Sequence, residues 1–93
     1  MKKVVWQFPE IIEIHEVSYY ADKYYTMKSK KIIFDLSKTK YVHSSFIGFL
    51  LDIKRNYDNE KKNIQVNFSE NVRNIINMLE LNEYFIELSA IKI

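Results

Sequence analysis

The chain has 93 residues, a formal net charge of +2 and hydrophobic residues at 47% of its positions, which fits one small globular domain and gives no sign of nucleic-acid binding. Having no cysteine, one glycine and one proline, it excludes disulfides, thiolate metal sites and glycine-rich phosphate loops. No apolar run reaches the roughly 20 residues of a membrane helix, and the N-terminus does not resemble a signal peptide, so we expect a cytoplasmic protein without membrane insertion.

The first part of the chain predicts two strands separated by a helix. The segment 2–8 is rich in β-branched and aromatic residues, which is typical of a strand. Pro9 suits the first turn of a helix, and apolar residues at helical spacing continue to about Lys28. The segment 31–37 predicts a buried strand. The helical residues expected to face the core are Ile14, Val17, Ala21, Tyr24 and Met27.

The second part predicts two helices and two strands. A helix over about 45–60 is followed by an alternating strand at 64–68 and by a helix that Ser69 caps and Asn82 ends. A last strand is predicted over 85–93. The helix residues expected to be buried are Phe46, Leu50, Ile53 and Tyr57 in the first helix, and Val72, Ile75, Ile76 and Leu79 in the second.

The order of these elements is β-α-β-α-β-α-β. This alternation predicts an α/β fold with a small, mostly parallel sheet of about four strands joined by helical crossovers. We expect the strand at 31–37 to be central and to carry Asp35 at its carboxyl end, where sheets of this kind place their sites. The whole chain is expected to form a single domain.

Two serines stand where the helix at 45–60 would begin. A phosphate added there would lie at the positive end of the helix dipole. The alternative interpretation is that Ser44 or Ser45 only caps the helix. A catalytic pair of His43 and Ser44 is disfavoured, because adjacent residues rarely align and no oxyanion glycines are present. We therefore expect no enzymatic activity, no metal and no cofactor.

The stretch from Ile33 to Ser37, with His43 to Leu50 after it, resembles the core signature of the STAS domain (sulfate transporter and anti-sigma factor antagonist). That family commonly has an apolar strand ending Asp-Leu-Ser and then Asp-Ser-Ser-Gly-Leu-Gly at a helix start. Here His43 replaces the Asp and Phe46 replaces the first Gly.

A second stretch, Ser69 to Leu81, is similar to the family's later serine-capped helix. The resemblance covers roughly residues 4–88, and the family's usual first strand is expected to be missing. That absence would leave the strand at 2–8 as a bare sheet edge. We therefore predict self-association or partner pairing through that edge or through the helix that follows it.

The resemblance implies a non-enzymatic anti-sigma factor antagonist, which regulates transcription by partner switching. The implied partner is an anti-sigma factor with serine-kinase activity, and the implied phosphorylation site is Ser44, with Ser45 as the alternative. Asp35 would support the loop structurally. The predicted partner-binding residues are His43, Ser44, Ser45, Phe46 and Ile47. The alternative function is a non-phosphorylated accessory or scaffold STAS subunit of a lipid-transport ATPase or a stress-signalling complex.

Overall fold

A computed structural model describes residues 3–27, 31–60, 63–81, 83 and 85 of the chain. It contains parallel strands that alternate with helices along the sequence. The elements are β1 (Lys3–Gln7), β2 (Ile11–Ile12), α1 (Ile14–Thr26), β3 (Lys31–Leu36), β4 (Tyr41–Val42), α2 (Ser44–Glu60), β5 (Asn63–Phe68) and α3 (Glu70–Met78).

The main sheet has the order β1-β3-β5, and both pairings are parallel. Its register places Val5 beside Ile33 and Ile33 beside Gln65. The parallel α/β fold and the central position of β3 are therefore confirmed. The helical crossovers force this arrangement, because each helix returns the chain to the edge from which the previous strand began.

The strand count differs from the prediction of about four strands in one sheet. The described residues form three strands in the main sheet and a separate parallel pair, β2 with β4. The prediction of a strand starting at Phe85 is wrong at that residue, which is helical and buried. Residues 86–93 of the predicted last strand lie outside the described part of the chain.

The first helix begins later than predicted, at Ile14 instead of the turn after Pro9. The two β-branched residues Ile11 and Ile12 pair with β4 instead. The helix start is marked by Glu16, whose Oε1 accepts the backbone N–H of Glu13 at 2.9 Å, as in a capping box. The apolar spacing of α1 did not reveal this start, because Ile11 and Ile12 before it are also apolar.

The core lies between the sheet and the helices α1 and α2. Phe34 of β3 is fully buried at its centre, with its ring 5.5 Å from Trp6, 5.8 Å from Tyr24 and 6.4 Å from Phe49. The pairs with Trp6 and Tyr24 are edge-to-face and the pair with Phe49 is stacked, and both geometries add to the free energy of burial. Predicted core residues Phe46, Leu50 and Ile53 are all buried in α2, whereas the side chain of Tyr57 lies outside the described part.

The third helix confirms the predicted serine cap. Ser69 Oγ accepts the N–H of Val72 at 3.0 Å, and Val72 and Ile76 are buried. The prediction that Leu79 is buried is wrong, because the helix ends at Met78 and the side chain of Leu79 is 49% exposed. Glu80, with φ 58°, forms the helix-ending turn, so the helix ends before Asn82, which lies outside the described residues.

Candidate functional site

Backbone hydrogen bonds set the position of the loop between β3 and α2. The backbone carbonyl of Glu10 accepts hydrogen bonds from the N–H groups of Lys40, at 2.7 Å, and Tyr41, at 3.2 Å. The backbone carbonyl of Ile12 accepts a hydrogen bond from the N–H of His43 at 2.9 Å. These bonds belong to or flank the β2–β4 pair. The start of α2 is therefore fixed against the loop that follows β1, at the carboxyl end of the main sheet.

His43 caps α2. Its ring Nδ1 accepts the backbone N–H of Ser45 at 3.1 Å and lies 2.9 Å from Ser45 Oγ, while the N–H of Phe46 donates to the His43 carbonyl at 2.8 Å. The alternative interpretation, in which Ser44 or Ser45 is the cap, is therefore wrong.

The two serines have different environments. Ser45 is half-buried, and its hydroxyl faces the His43 ring. Ser44 is the first residue of α2 and is exposed, and its hydroxyl has no hydrogen-bond partner among the described residues. An enzyme that modifies a hydroxyl needs access to it, so Ser44 is the better-placed acceptor of the two.

The other two predicted partner-binding residues point into the core. Phe46 is fully buried, with its ring 5.4 Å from Phe8, and Ile47 is 3% exposed. The loop surface open to a partner therefore consists of His43, Ser44 and Ser45. Phe46 and Ile47 anchor this surface from below, and partner binding itself stays a prediction.

Asp35 organises a different turn from the one that was predicted. Its Oδ1 accepts the backbone N–H of Ser37 at 3.0 Å, and among the described residues its carboxylate accepts no hydrogen bond from Ser44. Hydrogen bonds from Ser37 and the charge of Lys38 hold the pKa of Asp35 below its ordinary value, although partial burial acts in the opposite direction. The side chain of Asp35 therefore stabilises the turn after β3. Among the described residues, no hydrogen bond of this side chain connects it to Ser44.

Three loops at the carboxyl end of the sheet are joined by two side chains. Thr39 Oγ1 donates to the carbonyl of Pro9 at 2.8 Å, and Ser69 Oγ donates to the carbonyl of Thr39 at 2.5 Å. Thr39 is fully buried. The sequence did not reveal this connection, because the hydrogen-bonded residues are 30 positions apart and lie in loops without periodicity.

No family model and no curated protein matches the chain. The functional argument therefore depends on the geometry of the loop and of the surfaces around it. In the described ranges, no helix combines the length and apolar character that crossing a membrane requires. Within the same ranges, no group of three or more His, Asp or Glu side chains is placed to hold a metal ion.

A groove of about 500 Å³ runs between α1 and α2. We call it the α1–α2 groove. Each helix contributes residues at i, i+3, i+4 and i+7, so the groove follows two turns of both helices. The sequence showed this spacing in α1, but Ile14, Val17 and Ala21 were predicted to face the core, whereas Ile14 is 60% exposed. The lining consists of Ile14, Val17, Ser18, Ala21, Ser45, Gly48, Phe49 and Asp52.

An exposed apolar pair lies beside the serine loop. Ile11 of β2 and Tyr41 of β4 are register partners, and they are 53% and 50% exposed. Large contiguous apolar patches mark protein-binding sites, and this pair forms a small apolar surface. The sequence placed Ile11 in a helix, so this pairing could not be predicted from it.

Proposed function

We propose that the chain is a STAS-type regulatory module, an anti-sigma factor antagonist, and that phosphorylation of Ser44 controls its partner binding. The partner is an anti-sigma factor with serine-kinase activity, and the module itself is cytoplasmic and non-enzymatic. The observation that carries the proposal is the exposed Ser44 hydroxyl at the first position of α2, free of hydrogen bonds to other described residues. This position matches the phosphoacceptor of the STAS signature.

The location allows modification without unfolding. A phosphate on Ser44 adds a charge of about −1.5 to −2 at a helix end where the dipole and the free N–H groups favour negative charge. Among the described residues, the Ser44 hydroxyl has no hydrogen-bond partner that phosphorylation would remove. The phosphate therefore changes the surface that a partner contacts, while the cap on α2, in which His43 Nδ1 accepts the N–H of Ser45, is preserved.

The two departures from the STAS signature are compatible with this function. His43 replaces an aspartate and still provides an acceptor for the N–H of Ser45. Phe46 replaces a glycine and turns into the core, so its ring does not cover Ser44. Both substitutions leave the acceptor hydroxyl accessible.

A second function is an accessory or scaffold STAS subunit that binds its partner constantly and is not phosphorylated. The exposed pair of Ile11 and Tyr41 favours it, because an apolar contact does not depend on the charge of a neighbouring serine. The two functions predict different effects of charge at position 44.

The test begins with affinity capture of the wild-type protein from the cells that produce it, followed by mass spectrometry of the partner and of Ser44. Binding of the purified partner is then measured for Ser44→Ala, Ser44→Asp and the control Asn74→Asp, an exposed position on α3. Ser44→Ala and the control should bind like the unmodified protein. Ser44→Asp should bind about tenfold or more weakly, which is ~1.4 kcal/mol. Equal affinity for all forms would reject the switch and leave the accessory subunit.

A further inference from the structure

The α1–α2 groove has the shape of a site for a helix. Because α1 and α2 both connect parallel strands, they run in the same direction, and the groove between them is about 10 Å long over two turns of each. It is open to solvent along this length. A small ligand is normally enclosed over most of its surface, whereas an amphipathic helix lies in an open groove with one face buried.

Gly48 gives the groove its depth. It is the one glycine of the sequence, it is exposed in the interior of α2, and a Cβ added to it would meet no other atom within 4 Å. Packing within the described chain therefore does not require glycine here, and in a helix interior glycine costs about 0.5–1 kcal/mol relative to alanine. A residue without a side chain does allow the backbone of another molecule to approach closely.

The charges along the groove give an occupant its direction. The first turns of α1 and α2 meet at the end formed by Ile14 and Ser45, which is the positive end of both helix dipoles. Asp52 lies at the other end and is the one ionisable residue of the lining. Its ion pair with Arg55, at 3.1 Å, is exposed and of little strength, so it can be exchanged.

We propose that the α1–α2 groove binds an amphipathic helix of a protein partner, whose carboxyl end lies at Ser45 and whose basic side chain pairs with Asp52. This orientation places negative charge of the partner beside the start of α2. Phosphorylation of Ser44 then repels the same end of the partner helix. This link to phosphorylation depends on the function proposed above, whereas the groove itself does not.

The test uses synthetic peptides of about 14 residues. A side-chain lactam holds each peptide in the helical conformation, because unconstrained helices of about this length are only marginally stable in water. One carries leucines at i, i+4 and i+7, a lysine near its N-terminus and a free C-terminal carboxylate. A second is identical but amidated, and a third has the same composition in scrambled order. Binding is followed by amide shifts of the isotope-labelled protein.

The first peptide should bind saturably and shift amides of residues 14–21 and 45–52. Gly48→Leu should abolish binding, while Gly48→Ala should weaken it several-fold. The matched control Asn77→Leu, on the exposed side of α3, should bind like wild type. Thermal melts separate loss of binding from loss of fold. The absence of saturable binding, equal binding of the scrambled peptide or shifts confined to other residues would overturn the proposal. So would a dimer in sedimentation that Gly48→Leu dissociates, because a second copy would then fill the groove.

Ser44→Asp tests the direction of the helix. At low salt, the variant should bind the carboxylate peptide about tenfold more weakly than wild type does, and its affinity for the amidated peptide should fall much less. An equal effect on both peptides overturns the proposed orientation. If the peptides bind as expected but Ser44→Asp leaves the affinity for the natural partner unchanged, the result supports the groove as a helix-binding site and rejects phosphorylation of Ser44 as the control of partner binding.

Discussion

The imidazole of His43 caps α2 by accepting the backbone N–H of Ser45 at 3.1 Å. Aspartate, serine, threonine and asparagine are the usual residues for this task. The ring supplies the same acceptor without a negative charge. The ring therefore satisfies the N–H of Ser45, while the positive end of the helix dipole is not neutralised and still favours an external anion.

Replacing His43 tests this cap. His43→Ala should lower the free energy of unfolding by about 0.5–2 kcal/mol, as expected for a lost cap, and His43→Asp should retain or increase stability because a carboxylate also complements the dipole. Urea denaturation measures both. His15→Ala, an exposed histidine of α1, is the control. Equal stability of the alanine and aspartate variants would show that His43 does not cap the helix.

Helical periodicity predicted that both Leu50 and Leu79 are buried, but the two side chains differ in exposure. Leu50 is fully buried, and Leu79 is 49% exposed. Leu50→Ala should cost about 2–5 kcal/mol of stability, whereas Leu79→Ala should stay within about 0.5 kcal/mol. Ile76→Ala, in the buried face of α3, should resemble Leu50→Ala. Similar melting temperatures for the two leucine variants would contradict the described end of α3.

The carboxylate of Asp35 predicts a pH-dependent contribution to stability. Its folded pKa is held below the ordinary value, first by the hydrogen bond from Ser37. A depressed folded pKa stabilises the protein fully above the unfolded pKa, about 3.9, and this contribution is lost as pH falls through the folded pKa. Asp35→Asn should therefore be less stable than wild type at neutral pH, and the difference should shrink below about pH 4.

Thermal melts across this pH range measure the effect. Asp22→Asn, which removes an exposed carboxylate from α1, controls for the change in net charge. A stability difference between wild type and Asp35→Asn that is constant from neutral pH to pH 3 would contradict the prediction.

The connection through Thr39 and Ser69 predicts coupled losses of stability. Ser69→Ala removes the donor to the Thr39 carbonyl and the cap of α3, and should cost about 1–3 kcal/mol. Thr39→Val removes the donor to Pro9 at nearly constant volume. A double-mutant cycle should give a coupling of at least about 0.5 kcal/mol. Thr26→Val, at an exposed position of α1, is the control, and strict additivity would show that the three loops are independent.

The edge of the sheet predicts self-association. Within the described residues β1 pairs only with β3, and Val5 of β1 is 51% exposed. A strand with one unpaired edge can pair with a strand of another copy. Sedimentation should show a concentration-dependent dimer that Val5→Lys weakens and that Met78→Lys, on exposed α3, does not. A monomer at all concentrations would reject this interface.

The central strand and the helix after it could be predicted because burial imposes a strong pattern on them. Every second residue of β3 is buried, and α2 repeats large apolar residues on one face. The pair β2–β4 could not be predicted, since two residues are too few to show a period. Pro9 before two isoleucines indicated a helix start, and the pairing with β4 outweighed that local preference.

Less of the candidate site could be predicted. The accessible Ser44 follows from its place at a helix start. The cap by His43 does not follow, because histidine is rarely used for it. The inward direction of Phe46 depends on the space beside Phe8, which only the folded chain defines.

The short β2–β4 pair has an evolutionary consequence. It positions the start of α2 through the backbone carbonyls of Glu10 and Ile12, and such bonds do not depend on which side chain a residue carries. Substitutions of the exposed side chains of Lys40 and Tyr41 can therefore accumulate without moving Ser44. The position of Ser44 therefore tolerates sequence changes at these two sites that would disturb a position set by side-chain packing.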